Sequence, residues 1–468
     1  MGIAFLSAFV RTCRIGGAAA LACLLAACAA APVPTAPDDA PAAWRHRPAD
    51  EAALGPAPDL RGWWHAFGDT ELDRLVERAL AGNLMLQQAR QRIVAARAMA
   101  GRSSTEFKPE VGAHTLAEPA PDSSASYFQF GFDAKWEFPL FGRGESIARI
   151  ADADVGLAES DAMAARVTVV AETVRVYVEL RAAEHRLDVL SRIAEASRAK
   201  SVLIATRAKL QLASASDIAG SDAEHAAADA ALVEPHLAID RCRQQLAVLL
   251  GESEPQASDV GDAKTQLRLD AFRIAEAPAD LLRTRPDIRR AELSILKAAG
   301  ELGIAHADLY PRLALGGSLT YSSRIVGHTE LADTDSVVSI GPLIDVPIFD
   351  WGARRAVVDA RDAELQAAVI AYRQAVLEGV AEVETALATL ERQRERAGDL
   401  DRAVAALERG DTAVATLRRV GLADDVDRHA ATTAMLKAEL DAAAAEEARN
   451  LAFVALYKAL GGAPLPAS

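Results

Sequence analysis

The stretch Leu212–Asp217, which reads LASASD, returns as LADDVD at Leu422–Asp427. The two motifs are 210 residues apart, and this separation is the repeat offset. Gly142 and Gly352, which lie upstream of the two motifs, are separated by the same offset. One offset kept over so long a stretch indicates a duplicated unit rather than chance. Each copy contains two alternating strands followed by a very long helical hairpin. The predicted fold class is therefore mainly α with β, with long antiparallel helical hairpins and an internal twofold repeat.

The strand Ser126–Leu140 alternates apolar and polar residues along its whole length. Phenylalanines and Trp136 fall on one face, and alternation with period two predicts a strand with one apolar and one polar face. The second copy repeats this alternation over Val338–Ile348. The polar face of the first strand supplies four candidate lining residues, Gln129, Asp133, Lys135 and Glu137.

Each of these strands has a partner strand before it in the chain. The first partner lies around Lys108–Ala117, and the second covers Tyr310–Ser322. Polar, turn-rich segments at Glu118–Ala125 and Ser323–Ser336 separate the members of each pair. Both pairs are therefore predicted to be hairpins.

Four strands that each have one apolar and one polar face favour a membrane barrel over a soluble sandwich. A sandwich fits poorly because four strands are few for a chain of 468 residues that is otherwise helical. Membrane barrels begin at about eight strands, and an open sheet edge is not tolerated in lipid. The barrel must then be shared between subunits, and three copies would give a twelve-stranded one.

The helical segments are unusually long. Arg143–Leu210 and Ala353–Val420 contain no proline and place apolar residues at spacings of three and four. Each would span roughly 100 Å if unbroken, and the spacing is that of a coiled coil. After the repeated motif the chain is predicted to run back as a second helix, at Asp217–Leu250 and Asp427–Leu460.

The segment 1–27 has the features of an export signal. Arg11 and Arg14 precede the apolar run Ile15–Ala27, which is too short to span a membrane. The run ends in Leu-Ala-Ala before Cys28, which resembles a bacterial lipobox and predicts a covalent lipid on that cysteine. Ala29 follows where an aspartate would favour the inner membrane, so the outer membrane is expected. The alternative is an ordinary signal peptide with an incidental cysteine.

Composition narrows the function further. The net charge of −15 argues against a nucleic-acid partner. The nine histidines are scattered, no cysteine pair suggests a metal, and no nucleophile or phosphate-binding motif appears. We therefore expect no enzyme activity and no cofactor other than the lipid on Cys28.

The predicted organisation follows from these segments. The ranges are a signal peptide at 1–27, a lipidated Pro/Ala-rich tether at 28–60, a first repeat at 61–260, a linker at 261–280, a second repeat at 281–462 and a tail at 463–468. Within the repeats, the strands are expected at about 108–140 and 310–349, and the hairpins at about 143–250 and 353–460.

Short motifs spread from Gly62 onward, taken in their order and spacing, resemble the outer-membrane efflux proteins of the TolC type, in the lipoprotein branch of drug-efflux channels. The motifs are Gly62-Trp63-Trp64, Trp136-Glu137-Phe138, Arg285-Pro286-Asp287-Ile288, Tyr310-Pro311, Pro347-Ile348-Phe349-Asp350 and Leu456-Tyr457-Lys458-Ala459-Leu460-Gly461-Gly462.

The resemblance implies a homotrimer with a twelve-stranded barrel in the outer-membrane lipid and a helical barrel in the periplasm. It further implies a passive exit duct for drugs or small toxic molecules. Its partners would be a periplasmic membrane-fusion adaptor and an inner-membrane pump of the RND type.

The resemblance also assigns the hairpin tips to adaptor docking and to the periplasmic aperture. Asp424 and Asp427 match the acidic tip positions, Gly421 is the turn glycine, and Asp217 is the first-copy equivalent. The alternative for these aspartates is helix capping, for which aspartate is well suited.

The chain departs from the usual family pattern at three places. Gln211 stands where a turn glycine is usual, and Ala353 replaces a frequent arginine. After the second tip motif, Arg428 begins a stretch where apolar residues and an acid are common. These departures concern the tip and the adaptor rather than the fold.

Two other functions remain open at the level of sequence. One is a type I secretion channel, which would pass proteins rather than drugs. The other is a periplasmic structural or adaptor lipoprotein built on coiled coil, which would explain the helices and the anchor but not the repeated strands.

Overall fold

The computed structural model describes residues 41, 44–45, 60–118, 127–256, 266–269, 284–326 and 330–462. The predicted signal peptide, Cys28 and the tail lie outside these residues. A short 3-10 helix at Trp63–Phe67 precedes the main elements. These elements are α1 (Thr70–Gly82), α2 (Leu84–Ser103), β1 (Glu110–Glu118), β2 (Tyr127–Glu137), α3 (Arg143–Lys209), α4 (Ala215–Ala230), α5 (Val233–Leu250), α6 (Pro286–Ala307), β3 (Arg312–Val326), β4 (Glu330–Asp345), α7 (Ala353–Arg419) and α8 (Asp425–Ala459).

The four strands form one antiparallel sheet in the order β1-β2-β3-β4. The two predicted hairpins are present as β1–β2 and β3–β4. The two halves of the chain meet where β2 pairs with β3, in a register that sets Phe132 opposite Leu319. Both outer strands, β1 and β4, have one edge without a partner among the described residues.

The predicted strand bounds were wrong at two places. The segment Ser323–Ser336 was predicted to be a turn, but β3 continues to Val326 and β4 already begins at Glu330. Polar residues remain in a strand when the neighbouring backbone pairs with them, since strand preference depends on context. The strands predicted at Ser126–Leu140 and Val338–Ile348 also end earlier than expected, because β2 stops at Glu137 and β4 at Asp345.

The two long helices match their predicted extents to within a residue. Helices α3 and α7 have the same length, 67 residues, and both ends of α7 follow those of α3 by the repeat offset. The returning helix of the second copy is continuous, as predicted. The prediction of a single helix from Asp217 to Leu250 was wrong, because the chain breaks between α4 and α5. Pro235, in the first turn of α5, cannot donate to the carbonyl four residues before it and excludes a continuous helix.

The repeat is also visible in the backbone conformation. Nine described residues have positive φ, and eight of them form four pairs whose members are separated by the repeat offset. The pairs are Phe141 with Trp351, Gly142 with Gly352, Gln211 with Gly421, and Gly251 with Gly461. The first two pairs form the turn between strand and long helix, and the others end helices. Both copies therefore use the same turns at the same places.

The chain divides into two compact units, each drawing residues from both repeats. The strand unit comprises the described residues within 92–159 and 290–373, and the helical unit those within 38–91, 160–289 and 374–468. The largest core of the helical unit brings Trp63 against Phe453 and Tyr457, with ring centroids 5.7 and 5.4 Å away. None of the described helices combines the length and the apolar character needed to cross a membrane.

Candidate channel surfaces

The sheet has one apolar and one polar face, as the alternation predicts. Directly opposed residues of antiparallel strands point to the same side, so the register aligns the faces of all four strands. The apolar face carries large exposed side chains, including Phe132, 43% exposed, and Ile340, 80% exposed. Isolated exposed apolar residues are ordinary, but a continuous apolar face across four strands marks a surface that meets lipid or protein.

The four predicted lining residues all lie on the polar face. The register places Gln129, Asp133, Lys135 and Glu137 on alternate positions of β2, on the same side as His114 of β1. The His114 Nδ1 atom lies 2.7 Å from a carboxylate oxygen of Asp133. The polar face therefore contains a polar contact that bridges two strands.

The tip of the second hairpin is closed by a reciprocal capping box at the start of α8. The Asp424 carboxylate accepts hydrogen bonds from the backbone N–H of Val426 at 2.7 Å and of Asp427 at 2.9 Å. In return, the Asp427 carboxylate accepts from the N–H of Asp424 at 3.0 Å. The bond from the Asp427 backbone, together with Arg207, lowers the pKa of Asp424 below its ordinary value. Both aspartates are thus helix caps in this structure.

The tip of the first hairpin uses the same device with a different cap. Ser214 accepts from the Asp217 N–H at 3.1 Å, and the Asp217 carboxylate accepts from the Ser214 N–H at 2.8 Å. The hydrogen bond from the Ser214 backbone, followed by that from its hydroxyl, lowers the pKa of Asp217. Asp217 is therefore the structural equivalent of Asp427, and Ser214 of Asp424.

An ion pair links the two tips across the repeats. The guanidinium of Arg207, near the end of α3, donates to the Asp424 carboxylate at 3.0 Å.

Arg428, one of the departures from the family pattern, pairs with Asp411 of α7. Thr432 donates to the same carboxylate at 2.9 Å. This departure from the usual tip sequence therefore joins the two helices of the second hairpin.

The departure at Gln211 has a conformational cost. Gln211 has φ 60° at the end of α3, and its equivalent Gly421 has φ 77°. A residue with a side chain is strained in this left-handed conformation, whereas glycine is not.

We expect Gln211→Gly to stabilise the first tip by about 1 kcal/mol, because it relieves this conformation. The reciprocal Gly421→Gln should destabilise the second tip by a similar amount. Amide hydrogen exchange at each tip would measure both changes. Equal exchange in Gln211→Gly and the parent protein would contradict the interpretation.

Sequence reasoning missed a buried charge network that fixes α1 to α3. Arg181 has a side chain only 1% exposed and donates to Glu71 at 2.5 Å and to Glu184 at 2.9 Å. Its Nε donates to the Tyr177 hydroxyl at 3.0 Å, and that hydroxyl donates to Asp69 at 2.9 Å. Burial raises the pKa of the Tyr177 hydroxyl, which stays protonated. A lone arginine in a helix pattern gives no signal for such a network.

No group of three or more His, Cys, Asp or Glu side chains among the described residues is arranged to hold a metal ion. The structure thus supplies two surfaces, the two-faced sheet and the capped tips, and both are suited to lining or docking.

The sequence matches the family model "Outer membrane efflux protein" over residues 75–252 and 277–462. The chain belongs to the outer membrane efflux protein family. Outer membrane protein OprJ of Pseudomonas aeruginosa is 31% identical over 94% of each chain. The pyoverdine export outer membrane protein OpmQ of the same species is 29% identical, again over 94% of each. The outer-membrane channel OprN is similar in structure, with a TM-score of 0.79 and 29% identity over 93% of this chain and 99% of that one.

Membership of this family removes one of the two alternative functions left open by the sequence. This efflux protein is an outer-membrane transport protein, and the sheet and long helices agree with the fold of a solved channel. A coiled-coil adaptor lipoprotein is therefore excluded. The relatives are channel and transport proteins rather than enzymes.

Proposed function

We propose that three copies of this efflux protein form the outer-membrane exit duct of a tripartite efflux pump, for drugs or small toxic molecules. A periplasmic membrane-fusion adaptor and an inner-membrane pump of the RND type would deliver the cargo. The duct itself is passive. The observation that carries this proposal is the two-faced, four-stranded sheet with unpaired outer edges, in a chain of this family.

The need to pair strand edges in lipid requires more than one copy of the chain, and the family resemblance sets the number of copies at three. One chain contributes four strands, and neither β1 nor β4 is paired on its outer side among the described residues. Unpaired backbone groups are not tolerated in the hydrocarbon layer, and closed barrels begin at about eight strands. Three chains give twelve strands with no free edge. The apolar face would then meet lipid, and Gln129, Asp133, Lys135 and Glu137 would line the lumen.

The tips provide the docking and aperture surfaces of the same proposal. Both tips carry acidic residues in their capping boxes, and Asp424 is additionally held by Arg207. Acidic rings in a pore favour cations and impede anions. We further propose that Cys28 carries an N-terminal lipid that adds membrane affinity to that of the barrel.

The proposal is tested by planar-bilayer conductance of the purified protein, with its mass measured in the same detergent. Discrete conductance steps from a trimer are expected. A monomer without conductance would overturn the duct. A silent trimer would be consistent with a closed resting state, and the tip variant described next distinguishes that case.

A double substitution at the second tip distinguishes an aperture role of Asp424 and Asp427 from a helix-capping role alone. Asp424→Ser with Asp427→Gln keeps both capping hydrogen bonds, since Ser with Gln is a natural capping box. The first tip already uses serine in this position. We expect higher conductance and weaker cation preference if the two carboxylates narrow the entrance.

Arg207→Gln is the matched control, because it removes the ion pair to Asp424 and keeps both carboxylates. If the double variant conducts like the parent, the aspartates are caps only. If Arg207→Gln reproduces the full effect, the ion pair rather than the acidic charge controls the entrance.

A further inference from the structure

His114 is the one histidine among the described strand residues, and it lies on the polar face of the sheet. Its imidazole lies over Gly131, the residue directly opposite it on β2. A Cβ on Gly131 would lie 2.8 Å from the ring carbon Cε1 and 3.2 Å from the ring nitrogen Nε2. Glycine in the middle of a strand marks such a close approach. The glycine therefore leaves the space that the imidazole occupies.

The ring also contacts Asp133, two residues farther along β2. The His114 Nδ1 atom lies 2.7 Å from a carboxylate oxygen of Asp133, and this nitrogen is buried although the side chain is 40% exposed. A lone pair on Nδ1 would repel a carboxylate oxygen at this distance, so Nδ1 carries a proton. The second nitrogen, Nε2, is then the atom that gains or loses a proton as the pH changes.

The residues directly opposite Asp133 on the neighbouring strands are uncharged. They are Gly112 of β1 and Ser318 of β3. The Ser318 hydroxyl lies 2.8 Å from that of Ser339 on β4, so it belongs to a neutral contact. His114 is therefore the side chain in contact with Asp133 whose charge depends on pH.

The other charged groups on this face keep their charge over the range in which histidine titrates. Carboxylates, lysine and arginine ordinarily stay charged between pH 5 and 8, whereas histidine changes its charge there. In a closed barrel the outer edge of β1 meets a strand of the next copy, which carries residues of the same set. Among the described side chains, the set is Glu110, Lys135, Glu137, Arg312, Arg324, Asp335 and Asp345.

Two pairs within this set offset each other. The register places Glu110 opposite Lys135, and Arg312 opposite Asp345. Glu137 lies 3.8 Å from Arg143, at the start of α3. In the middle of the sheet, the charge on this face therefore depends on whether His114 is protonated.

We propose that His114 and Asp133 form a proton-dependent selectivity element in the barrel. With neutral histidine, the Asp133 carboxylates of the three copies favour cations over anions. With protonated histidine, each imidazolium offsets the carboxylate beside it, and this preference weakens. Anionic cargo then passes this part of the lumen more easily in acid. The inference rests on the proposed duct, because the polar face must line a water-filled lumen for these charges to act on permeating ions.

Reversal potentials in planar bilayers test the element, with a KCl gradient across the full-length protein at pH 8 and at pH 5. The tip variant, Asp424→Ser with Asp427→Gln, serves as the background so that the tip carboxylates do not dominate the measurement. We expect the permeability ratio of K⁺ to Cl⁻ to fall between pH 8 and pH 5 in this background. Asp133→Asn should lower the ratio at pH 8 by the same factor, because it removes the same charge.

His114→Gln should have the same ratio at pH 5 as at pH 8, because it removes the group that titrates. His114→Asn repeats this test with a second neutral side chain. The matched control is His429→Gln, which removes a histidine of α8 in the helical unit and should leave the fall in the ratio unchanged. Urea-resistant insertion in outer membranes confirms that each variant is assembled.

Three results would overturn the selectivity element. They are a ratio that does not change with pH in the background, a fall that persists without His114, and a fall that His429→Gln abolishes. In each case a conducting trimer would leave the proposed duct standing. A monomer without conductance would overturn both the element and the duct.

Discussion

Arg181→Ala should lower the thermal stability of the helical unit more than any other charge removal considered for this chain. The guanidinium is buried and pairs with Glu71 and Glu184. Burial opposes its charge, yet hydrogen bonds to Tyr177 and Glu184 raise the pKa of Arg181 above its ordinary value. Removing one partner of a buried pair leaves uncompensated charge and costs about 3–5 kcal/mol. Thermal unfolding in detergent, followed by circular dichroism, would measure the loss.

Arg175→Ala is the matched control on the same helix. Arg175 also pairs with two glutamates, Glu172 at 2.7 Å and Glu179 at 2.6 Å, but its side chain is 35% exposed. Solvent screens such pairs, so a loss of at most about 1 kcal/mol is expected. Adding Glu71→Gln to Arg181→Ala should recover part of the stability, because it removes the uncompensated charge. Equal losses for the two arginines would contradict a buried network.

Phe132→Lys is expected to prevent stable insertion in the outer membrane. Phe132 lies on the apolar face of β2, beside Phe130 with ring centroids 5.2 Å apart. A lysine facing the middle of the lipid layer costs about 2–4 kcal/mol per subunit, and a trimer would bear this three times. The amount of protein that resists urea extraction from outer membranes measures insertion.

Gln129→Lys adds the same charge to the same strand on its polar face. Because this face is predicted to line a water-filled lumen, insertion should remain close to that of the parent protein. If both variants insert equally well, the apolar face does not meet lipid. If only Gln129→Lys fails, the two faces are assigned the wrong way round.

The long helices and two-faced strands could be predicted closely, because their signals are local. Absence of proline and spacing of three and four residues predicted both ends of α3 and α7 to within one residue. Strand ends were harder to predict. The strands continue past Ser323 because pairing with a neighbouring backbone, rather than local composition, determines where a strand stops.

The tips were only half predictable. Sequence placed Asp217, Asp424 and Asp427 at helix starts, and all three belong to capping boxes. The partner of Asp424 is Arg207, which lies 217 residues earlier in the chain. A contact across such a distance in sequence leaves no periodic trace, so the residues alone could not reveal it.

By itself, the sequence determined the repeat, the faces of the strands and the extents of the long helices, since each depends on patterns that can be read along the chain. Only the tertiary structure decided that β2 pairs with β3, that each unit mixes both repeats, and that Arg181 is buried among carboxylates. These features depend on which distant segments pack together. A hydrophobic period of two residues in a strand, or of 3.6 residues in a helix, indicates which side of the element is apolar. It does not indicate which other segment packs against that side.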